Sequence, residues 1–593
     1  MTSPQPIGTA KGPGEKPQEY TMITPDRDNA IKVGEFVFYR TVVDGAEREV
    51  IGRVVQRRPA RLFPEEFSAD PTVPPADVAA ALGYEAEETE LFEVTVSLLG
   101  YFDATLKSFV NPRIQPREGW PVYLVPDEVL TRVLNPRALG SVGSLHVGYL
   151  LSRPGHRVPI VLSAKELVST HLAIIASTGA GKSYLAGVVI EELMKPANRA
   201  CLLIIDPHGE YHTLDAMQGM PDFRDGNYRP EVKVITPDQV YVKAASLTIG
   251  DFRYLMPEMS ERMDYLLSAA HRRVCQESQK AHGTTENWTI NDLMNAVVAI
   301  SKEKRDDVEA WDLSSSVQGI IWRLERLQKE SGIFRDYDHM PLSDLFKPGQ
   351  CTVLQLSEIE PRDQQVIVSV LLRRLYRARM ETVRQKSVAG DENFLPYPAF
   401  VLLEEAHHFA PGGEGQDRVV SARQLKTVLS EGRKFGIGVG LISQRPGKLD
   451  QDVLSQCMTQ FILRIVNPID QNTIASAVES ASKDTLAELP SLSRGQAVVA
   501  GSSLNAPALI QVRQRLTPHG GESIDGPEEW IAYFAPEAEE ARKKEEAFYE
   551  PGRAASKRFH TAAVPAWPAR SYEQIFGDKK AEDDGKSQDS TER

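Results

Sequence analysis

The hydrophobic and polar positions of this chain change their period near residue 165. Before that point, short apolar runs such as "EFVFYRTVV", "LFEVTVSLLGYF", "WPVYLVP", "SLHVGYLLSR" and "VPIVLS" are separated by Gly, Pro and Asn. Short strands at this spacing, with a hairpin signal at Asp44-Gly45, predict a small β-barrel over residues 31–165. The preceding residues 1–30 are rich in Pro and Gly and predict a flexible tail.

From about residue 166 to 515, strand patterns alternate with helix patterns, which is typical of an α/β domain. Its strand candidates are "LAIIA", "ACLLIID", "EVKVITP", "CTVLQLS", "AFVLLEE", "GIGVGLISQ", "QFILRIV" and "GQAVVAG". A mostly helical block at about 247–345 interrupts them and predicts an inserted helical subdomain. Residues 516–593 become polar and predict a charged helix followed by a disordered tail.

The stretch "HLAIIASTGAGKSYL" predicts a loop that holds the phosphates of a nucleotide. An apolar strand precedes the loop and a helix with an apolar stripe follows it, which disfavours the alternative of a glycine-rich turn before a surface helix. Lys182 is expected to reach the β- and γ-phosphates, and the Ser183 hydroxyl to bind Mg²⁺. The predicted nucleotide-binding residues are Ser177, Thr178, Gly179, Ala180, Gly181, Lys182, Ser183 and Tyr184.

Two strand ends supply carboxylates to the same predicted site. Glu404 and Glu405 follow the buried strand "AFVLL", at the edge of an α/β sheet that faces ligands. We expect Glu404 to bind Mg²⁺, and Glu405 to orient and polarise the attacking water as a general base, the alternative being an exposed acidic turn. Asp206 and Glu210 of "LLIIDPHGEY" are expected near the γ-phosphate, although Asp206 could instead form an ordinary Asx turn. His407 and His408 are expected to cap or pack the next helix rather than to bind a metal ion.

The stretch "EGRKFGIGVGLISQRPGKL" contains two further candidates. Arg433 either enters the site of a neighbouring subunit and stabilises charge on the transferred phosphoryl group, or satisfies the dipole at a helix C-terminus. The spacing alone leaves both interpretations open. Gln444 ends a strand, where its amide is expected to sense the γ-phosphate.

Composition and charge restrict the class of protein. A net charge of −14 argues against a surface that coats nucleic acid generally, so any contact with a polyanion must be local. No apolar run approaches 18 residues and the N-terminus has no apolar signal segment, so we expect no membrane span and no secretion. The four cysteines are far apart, which is typical of reduced thiols in a cytoplasmic protein.

The segments "ASTGAGKS", "LLIIDPHGEY", "LLEEAHHF", "EGRKFGIGVGLISQRP" and "VLSQCMTQFILRIVNPID" together resemble the HerA family of ring-forming DNA translocases, in the HerA–FtsK division of P-loop ATPases. The resemblance covers residues 31 to about 515 and implies a RecA-like α/β core, an N-terminal small β-barrel of the ATP synthase type, and an inserted helical subdomain. It implies that residues 516–593 include a brace between subunits. Ala176 stands where the family usually has glycine, and because alanine is small we expect hydrolysis to survive.

The resemblance also implies an activity and partners. It implies a homo-hexameric, DNA-stimulated ATPase that uses ATP and Mg²⁺, pumps duplex DNA through its channel, and takes Arg433 as its trans-acting arginine. Family partners are nucleases, either NurA in DNA end resection or Sir2-like and other effectors in anti-phage defence, and the sequence does not choose between them. A nucleotide-stabilised ring that activates a nuclease with little translocation is an alternative function. A conjugation-type or FtsK-type pump is a third, but such pumps usually carry membrane anchors.

DNA contacts are expected in two loops, because loops after the carboxylate strand and the sensing strand commonly face the channel of RecA-like rings. Here these are "APGGEGQDR", with its following helix, and "RPGKLDQD". The basic helix Arg373–Lys386 is a rival, although a charge run on an amphipathic helix is usually a solvated face. The cations predicted to contact the phosphate backbone are Arg418, Arg423, Lys426, Arg445 and Lys448.

Overall fold

The computed structural model describes most of the chain, in two compact units that comprise residues 1–521 and 522–593. The described residues are 5–26, 28–60, 91–303, 310–330, 332–413, 419–478, 486–520 and 526–533. Arg418 and the predicted disordered tail lie outside these ranges. The second unit contributes one described helix, so the predicted brace stays a prediction.

An antiparallel barrel occupies the N-terminal part. Six of its strands close in the order β2-β1-β7-β3-β4-β5 through a β2–β5 pairing, and β6 extends from β5. Closure leaves the six strands without an open edge and creates an interior for apolar side chains such as Val37 and Val96. The strands are β1 (Pro6–Pro13), β2 (Glu19–Thr24), β3 (Phe36–Val43), β4 (Ala46–Pro59), β5 (Phe92–Asp103), β6 (Ser108–Val110) and β7 (Pro121–Leu124).

Two expectations about this barrel are wrong. Residues 6–13 and 19–24 are barrel strands rather than a flexible tail, because Tyr20 and Met22 alternate into the barrel core and are fully buried. The predicted barrel strands "SLHVGYLL" and "VPIVLS" do form strands, but these belong to the sheet of the α/β core.

The α/β core contains an 11-stranded sheet in the order β12-β15-β11-β16-β17-β10-β18-β19-β20-β8-β9. The first seven strands are parallel and the last four are antiparallel. All eight predicted core strands are present, and β20 was not predicted. The strands of this sheet are β8 (Ser144–Leu150), β9 (Pro159–Ser163), β10 (Leu172–Ile175), β11 (Leu202–Asp206), β12 (Glu231–Ile235), β15 (Gln350–Gln355), β16 (Ala399–Leu403), β17 (Ile437–Ser443), β18 (Thr459–Ile462), β19 (Gln496–Gly501) and β20 (Ala508–Val512). A separate pair is formed by β13 (Val242–Lys243) and β14 (Phe334–Arg335).

Helices cover both faces of this sheet, and each face has its own apolar core. The insertion predicted at 247–345 is mainly helical, and its short strand β14 pairs in parallel with β13, which lies just before the insertion. Among the described helices, none combines the length and the apolar character needed to cross a membrane. The helices are α1 (Asp127–Leu134), α2 (Ala164–Ser169), α3 (Lys182–Met194), α4 (Ile249–Leu255), α5 (Glu261–His282), α6 (Ile290–Glu303), α7 (Ala310–Glu330), α8 (Leu342–Leu345), α9 (Pro361–Val383), α10 (Val420–Glu431), α11 (Gln451–Ser455), α12 (Pro468–Ala477) and α13 (Gly526–Tyr533).

Candidate active site

The parallel strands β10, β11, β16 and β17 end at one edge of the sheet and bring the predicted site residues there. The glycine loop connects β10 to α3, which begins at Lys182. Gly179 and Gly181 have φ of 76° and 103°, a backbone region that residues with a Cβ avoid. The loop is anchored by N–H bonds from Ala176 to Ser443 O and from Ser177 to Arg464 O. This conformation can direct backbone N–H groups toward an anion.

Lys182 connects the glycine loop to the acidic pair that follows β16. Its ammonium binds Glu404 Oε1 and lies 3.4 Å from Glu405 Oε1. Both carboxylates are buried, Glu404 completely, and buried charges persist only when they are paired. Nucleotide phosphates would compete with these carboxylates for the same ammonium. Lys182 can therefore exchange partners when a nucleotide binds.

The second oxygen of Glu404 is held by a residue that the sequence did not single out. The Tyr211 hydroxyl donates to Glu404 Oε2 at 2.7 Å, and Tyr211 is buried. Asp206 in turn accepts the backbone N–H groups of His208, Gly209 and Tyr211 at 3.2, 2.8 and 3.0 Å. Burial raises the pKa of Asp206, although these hydrogen bonds oppose the shift. The structure supports the Asx-turn alternative for Asp206, which shapes the turn that positions Tyr211.

Hard oxygen ligands meet at the start of α3. The Ser183 hydroxyl donates to Glu210 Oε2 at 2.7 Å, so Glu210, rather than Glu404, is the carboxylate in contact with the predicted magnesium ligand. Within the described part of the chain, no cluster of three or more His, Cys, Asp or Glu side chains forms a metal site. A hydroxyl with one or two carboxylates nevertheless fits Mg²⁺, which usually keeps several waters and binds phosphate oxygens.

Glu405 is held in an unusual backbone conformation and between two basic groups. Its φ of 49° and ψ of 48° are left-handed, a region that non-glycine residues rarely adopt. Its Oε2 lies 3.2 Å from His407 Nδ1, which is 3.4 Å from Ser443 Oγ. Burial opposes ionisation, but the hydrogen bond from His407 and the charge of Lys182 outweigh it and lower the pKa of Glu405 to about 2. The His407 contact was missed, although its position two residues after Glu405 was a signal.

Two side chains from other parts of the core contact the glycine loop. The Thr178 hydroxyl donates to Gln444 Oε1 at 3.1 Å, which brings the predicted sensor to the loop. Arg494, in the turn before β19, donates its Nε to Gly179 O at 3.1 Å. No sequence motif marked Arg494. It adds a second cation, after Lys182, to the edge of the candidate nucleotide site.

Tyr184 connects the glycine-loop helix to the segment that follows β20. Its hydroxyl accepts the Arg515 backbone N–H at 2.7 Å, and its ring stacks with His519 at a centroid distance of 6.0 Å. On the same helix, buried Glu191 accepts the N–H groups of Leu516 and Thr517 at 2.9 and 2.7 Å. The chain after β20 is therefore fastened along the helix that follows the glycine loop.

Arg433 is not brought to the glycine loop of its own chain. It lies in the 3₁₀ turn Gly432–Phe435, directly before β17 begins. Because β17 is parallel to β10, and the glycine loop follows the opposite end of β10, Arg433 lies at the far edge of the sheet. Arg433 is exposed, and within the described ranges it forms no ion pair.

The two loops predicted to contact DNA lie side by side at the carboxyl edge. Gly412 donates its N–H to Lys448 O at 2.6 Å, and Asp450 donates to Ala410 O at 3.0 Å. Arg445 and Lys448 are exposed and form no ion pair with described residues.

The remaining candidate cations differ in whether they form ion pairs with acidic residues. Lys426 of α10 is bound by Asp450 at 2.6 Å, which reduces its availability, whereas Arg423 is exposed. On the rival helix, Arg373 and Arg377 form ion pairs with acidic residues and Arg379 is buried against backbone carbonyls. The engaged cations make that helix the weaker candidate for DNA contact.

A glycine loop between a parallel strand and a helix, with acidic residues at a neighbouring strand end, defines a RecA-like P-loop ATPase. A family model described as "Helicase HerA, central domain" matches residues 145–375. The DNA double-strand break repair helicase HerA of Pyrococcus furiosus is 30% identical over 488 residues, which cover 76% of this chain and 84% of that protein. A probable helicase of Methanocaldococcus jannaschii is 32% identical, covering 73% and 81% respectively. The chain therefore belongs to the HerA helicase family.

Among solved structures, the plasmid coupling protein TrwB in complex with an ATP analogue aligns with 67% of this chain and 94% of its own. The sequence identity is 14% and the TM-score is 0.42.

Proposed function

We propose that the protein is a homo-hexameric ATPase that moves duplex DNA through a central channel. The position of Arg433, exposed at the sheet edge opposite to the P-loop of its own chain, carries this proposal. If this arginine acts in hydrolysis, it can do so only at the site of a neighbouring subunit, which supports an assembly. The printed name of the Pyrococcus furiosus relative, a DNA double-strand break repair helicase, supports DNA as the substrate.

Within one site, the loop N–H groups and Lys182 hold the phosphates, while Ser183 holds Mg²⁺ together with Glu210 and Glu404. ATP supplies the phosphoanhydride bond, and Mg²⁺ neutralises phosphate charge. When phosphates attract the Lys182 ammonium, Glu405 loses one of the two basic groups that lower its pKa. Its pKa then rises, and Glu405 becomes a better base toward an attacking water.

Two residues complete this chemistry. Arg433 of a neighbouring subunit stabilises the charge that develops on the transferred phosphoryl group. Gln444, bonded to Thr178 of the P-loop, senses the γ-phosphate and leads directly into the loop that begins at Arg445. The DNA contacts are made to phosphates only, by Arg445 and Lys448, together with Arg418 and Arg423.

A nuclease partner is part of the same proposal. The motor feeds DNA to a NurA-like nuclease in end processing, or to a Sir2-like or other effector in anti-phage defence. The identity of that partner decides between the two roles.

The test measures ATP hydrolysis with and without duplex DNA, and the removal of streptavidin from a biotinylated duplex. We expect DNA to stimulate hydrolysis and streptavidin to be displaced only with ATP, with Lys182→Ala as the inactive control. Both assays are repeated with a candidate nuclease. A ring that activates the nuclease but never displaces streptavidin would contradict translocation and favour the scaffold function.

A further inference from the structure

A cleft of about 980 Å³ lies between α4, α9 and α10, outside the nucleotide site. Its walls have an excess of positive charge, although the chain as a whole carries −14. Such a local excess indicates a place where an anion is held. The charged side chains of the lining are Arg253, Arg362, Arg373, Arg423 and Asp251.

Two of these arginines are neutralised within the chain and two are not. Arg253 binds both oxygens of Asp264, at 2.5 and 2.9 Å, and Arg373 binds Asp251 at 2.8 Å. Arg362 and Arg423 are exposed, and among the described residues neither forms an ion pair. The cleft is therefore lined by two arginines that form ion pairs, Arg253 and Arg373, and by two exposed arginines without a described ion pair, Arg362 and Arg423.

The position of the cleft relates it to the candidate DNA loops. Helix α9 starts after the carboxyl end of β15, and α10 starts after the loop that follows β16. Arg362 and Arg423 lie in the first turns of these helices, so both lie near the carboxyl edge of the sheet, where the loops of Gly412 and Lys448 meet. Val419 and Val420, which follow the first loop, line the cleft.

We propose that this cleft binds the sugar–phosphate backbone of DNA, with Arg362 and Arg423 each contacting a phosphate. The proposal rests on the DNA activity proposed above and assigns the path that the strand follows beyond the loops. Guanidinium groups suit this task because they remain charged and bind phosphate through two parallel N–H bonds. The lining offers no arrangement that selects a base, so binding is independent of sequence.

The test is the double variant Arg362→Gln and Arg423→Gln, studied by fluorescence anisotropy with a labelled duplex at several salt concentrations. Loss of two phosphate contacts should weaken binding and make the slope of log K against log salt shallower by about 2. The matched control, Arg132→Gln with Arg229→Gln, removes the same charge from exposed positions outside the cleft and should keep the wild-type slope.

Four other outcomes would overturn the proposal, and each points to a different explanation. If the wild type binds no duplex DNA, the proposed function fails and this inference fails with it. If the wild type binds DNA and the double variant matches its control, the cleft is not on the DNA path, while the translocase proposal stands. If the double variant assembles less than its control in sedimentation, the cleft is a subunit interface. If it loses affinity for poly-glutamate but not for DNA, the cleft recognises an acidic protein segment.

Discussion

Replacing Glu405 by Gln separates the charge of this side chain from its shape. The glutamine side chain has nearly the same volume. Its residue must adopt the same left-handed backbone conformation, with a φ of 49°. The amide is uncharged, so it does not replace the negative charge that lies between Lys182 and His407. The nitrogens of these two residues are 3.4 and 3.2 Å from the carboxylate oxygens of Glu405. The substitution therefore has two consequences, one for hydrolysis and one for stability.

The effect on hydrolysis follows from the proposed role of Glu405 as the base. An amide can hold a water but cannot accept its proton, and loss of a general base typically costs about 10²–10⁴-fold in rate. ATP binding should persist, because Lys182 and the P-loop N–H groups are unchanged.

The effect on stability follows from the pKa of Glu405, which is lowered from 4.5 to about 2. A depressed pKa means that the ionised side chain stabilises the folded protein above pH 4.5, and that this contribution is lost as the pH falls toward 2. A shift of this size corresponds to about 3 kcal/mol at neutral pH. The variant lacks this contribution at every pH, so the two proteins should differ most near pH 7 and converge in acid.

The measurements are ATP turnover, nucleotide binding and urea unfolding without nucleotide, the last at pH 7 and at about pH 3. Glu118→Gln changes the same charge at an exposed site without a described ion pair and should match the wild type throughout. If Glu404→Gln retains ATP without hydrolysing it, while Glu405→Gln stays active, the two roles are reversed. Equal unfolding of wild type and Glu405→Gln at pH 7 would refute the electrostatic argument.

Three further outcomes are expected. Arg433→Ala subunits mixed with Lys182→Ala subunits should regain some hydrolysis that each variant alone lacks, and no recovery in verified rings would exclude a shared site. Tyr211→Phe removes the donor to Glu404 and should lower turnover by about ten-fold, with a raised Mg²⁺ requirement and little change in ATP affinity, measured by titrating both ligands. Removing Arg418 and Lys448 together should weaken DNA binding equally for all sequences and leave basal hydrolysis unchanged; unaltered DNA binding would contradict the loop assignment.

The α/β core was predictable because its signals are local. A strand buried on both faces reads as a continuous apolar run, and the P-loop has a fixed spacing that begins a helix at Lys182. The barrel boundary was not predictable in this way. Strands β8 and β9 have the same period as barrel strands, and only pairing with the distant β20 assigns them to the core sheet. Strands β1 and β2 were missed for a similar reason: their glycine and proline content suggested a tail, and their place in the barrel depends on pairing with distant strands.

Within the site, strand-end acids were predictable and their partners were not. The sequence places Glu404 and Glu405 at the ligand edge, since that edge follows from the strand direction. That Tyr211 holds Glu404, and that Arg494 holds Gly179 O, depends on side chains 193 and 315 positions away in the chain. Such pairings arise from tertiary packing and leave no periodic signal.

Side-chain contacts connect the candidate nucleotide site to one of the candidate DNA loops. Glu405 meets His407, His407 meets Ser443 Oγ, and Ser443 Oγ accepts the Arg445 backbone N–H at 3.2 Å. If a bound phosphate drew Lys182 away from Glu405, His407 would be the basic group left beside the Glu405 carboxylate. The Ser443 hydroxyl therefore contacts both the histidine beside Glu405 and the backbone amide at the start of a candidate DNA loop. This line of contacts joins Lys182 to that loop through Glu405, His407 and Ser443.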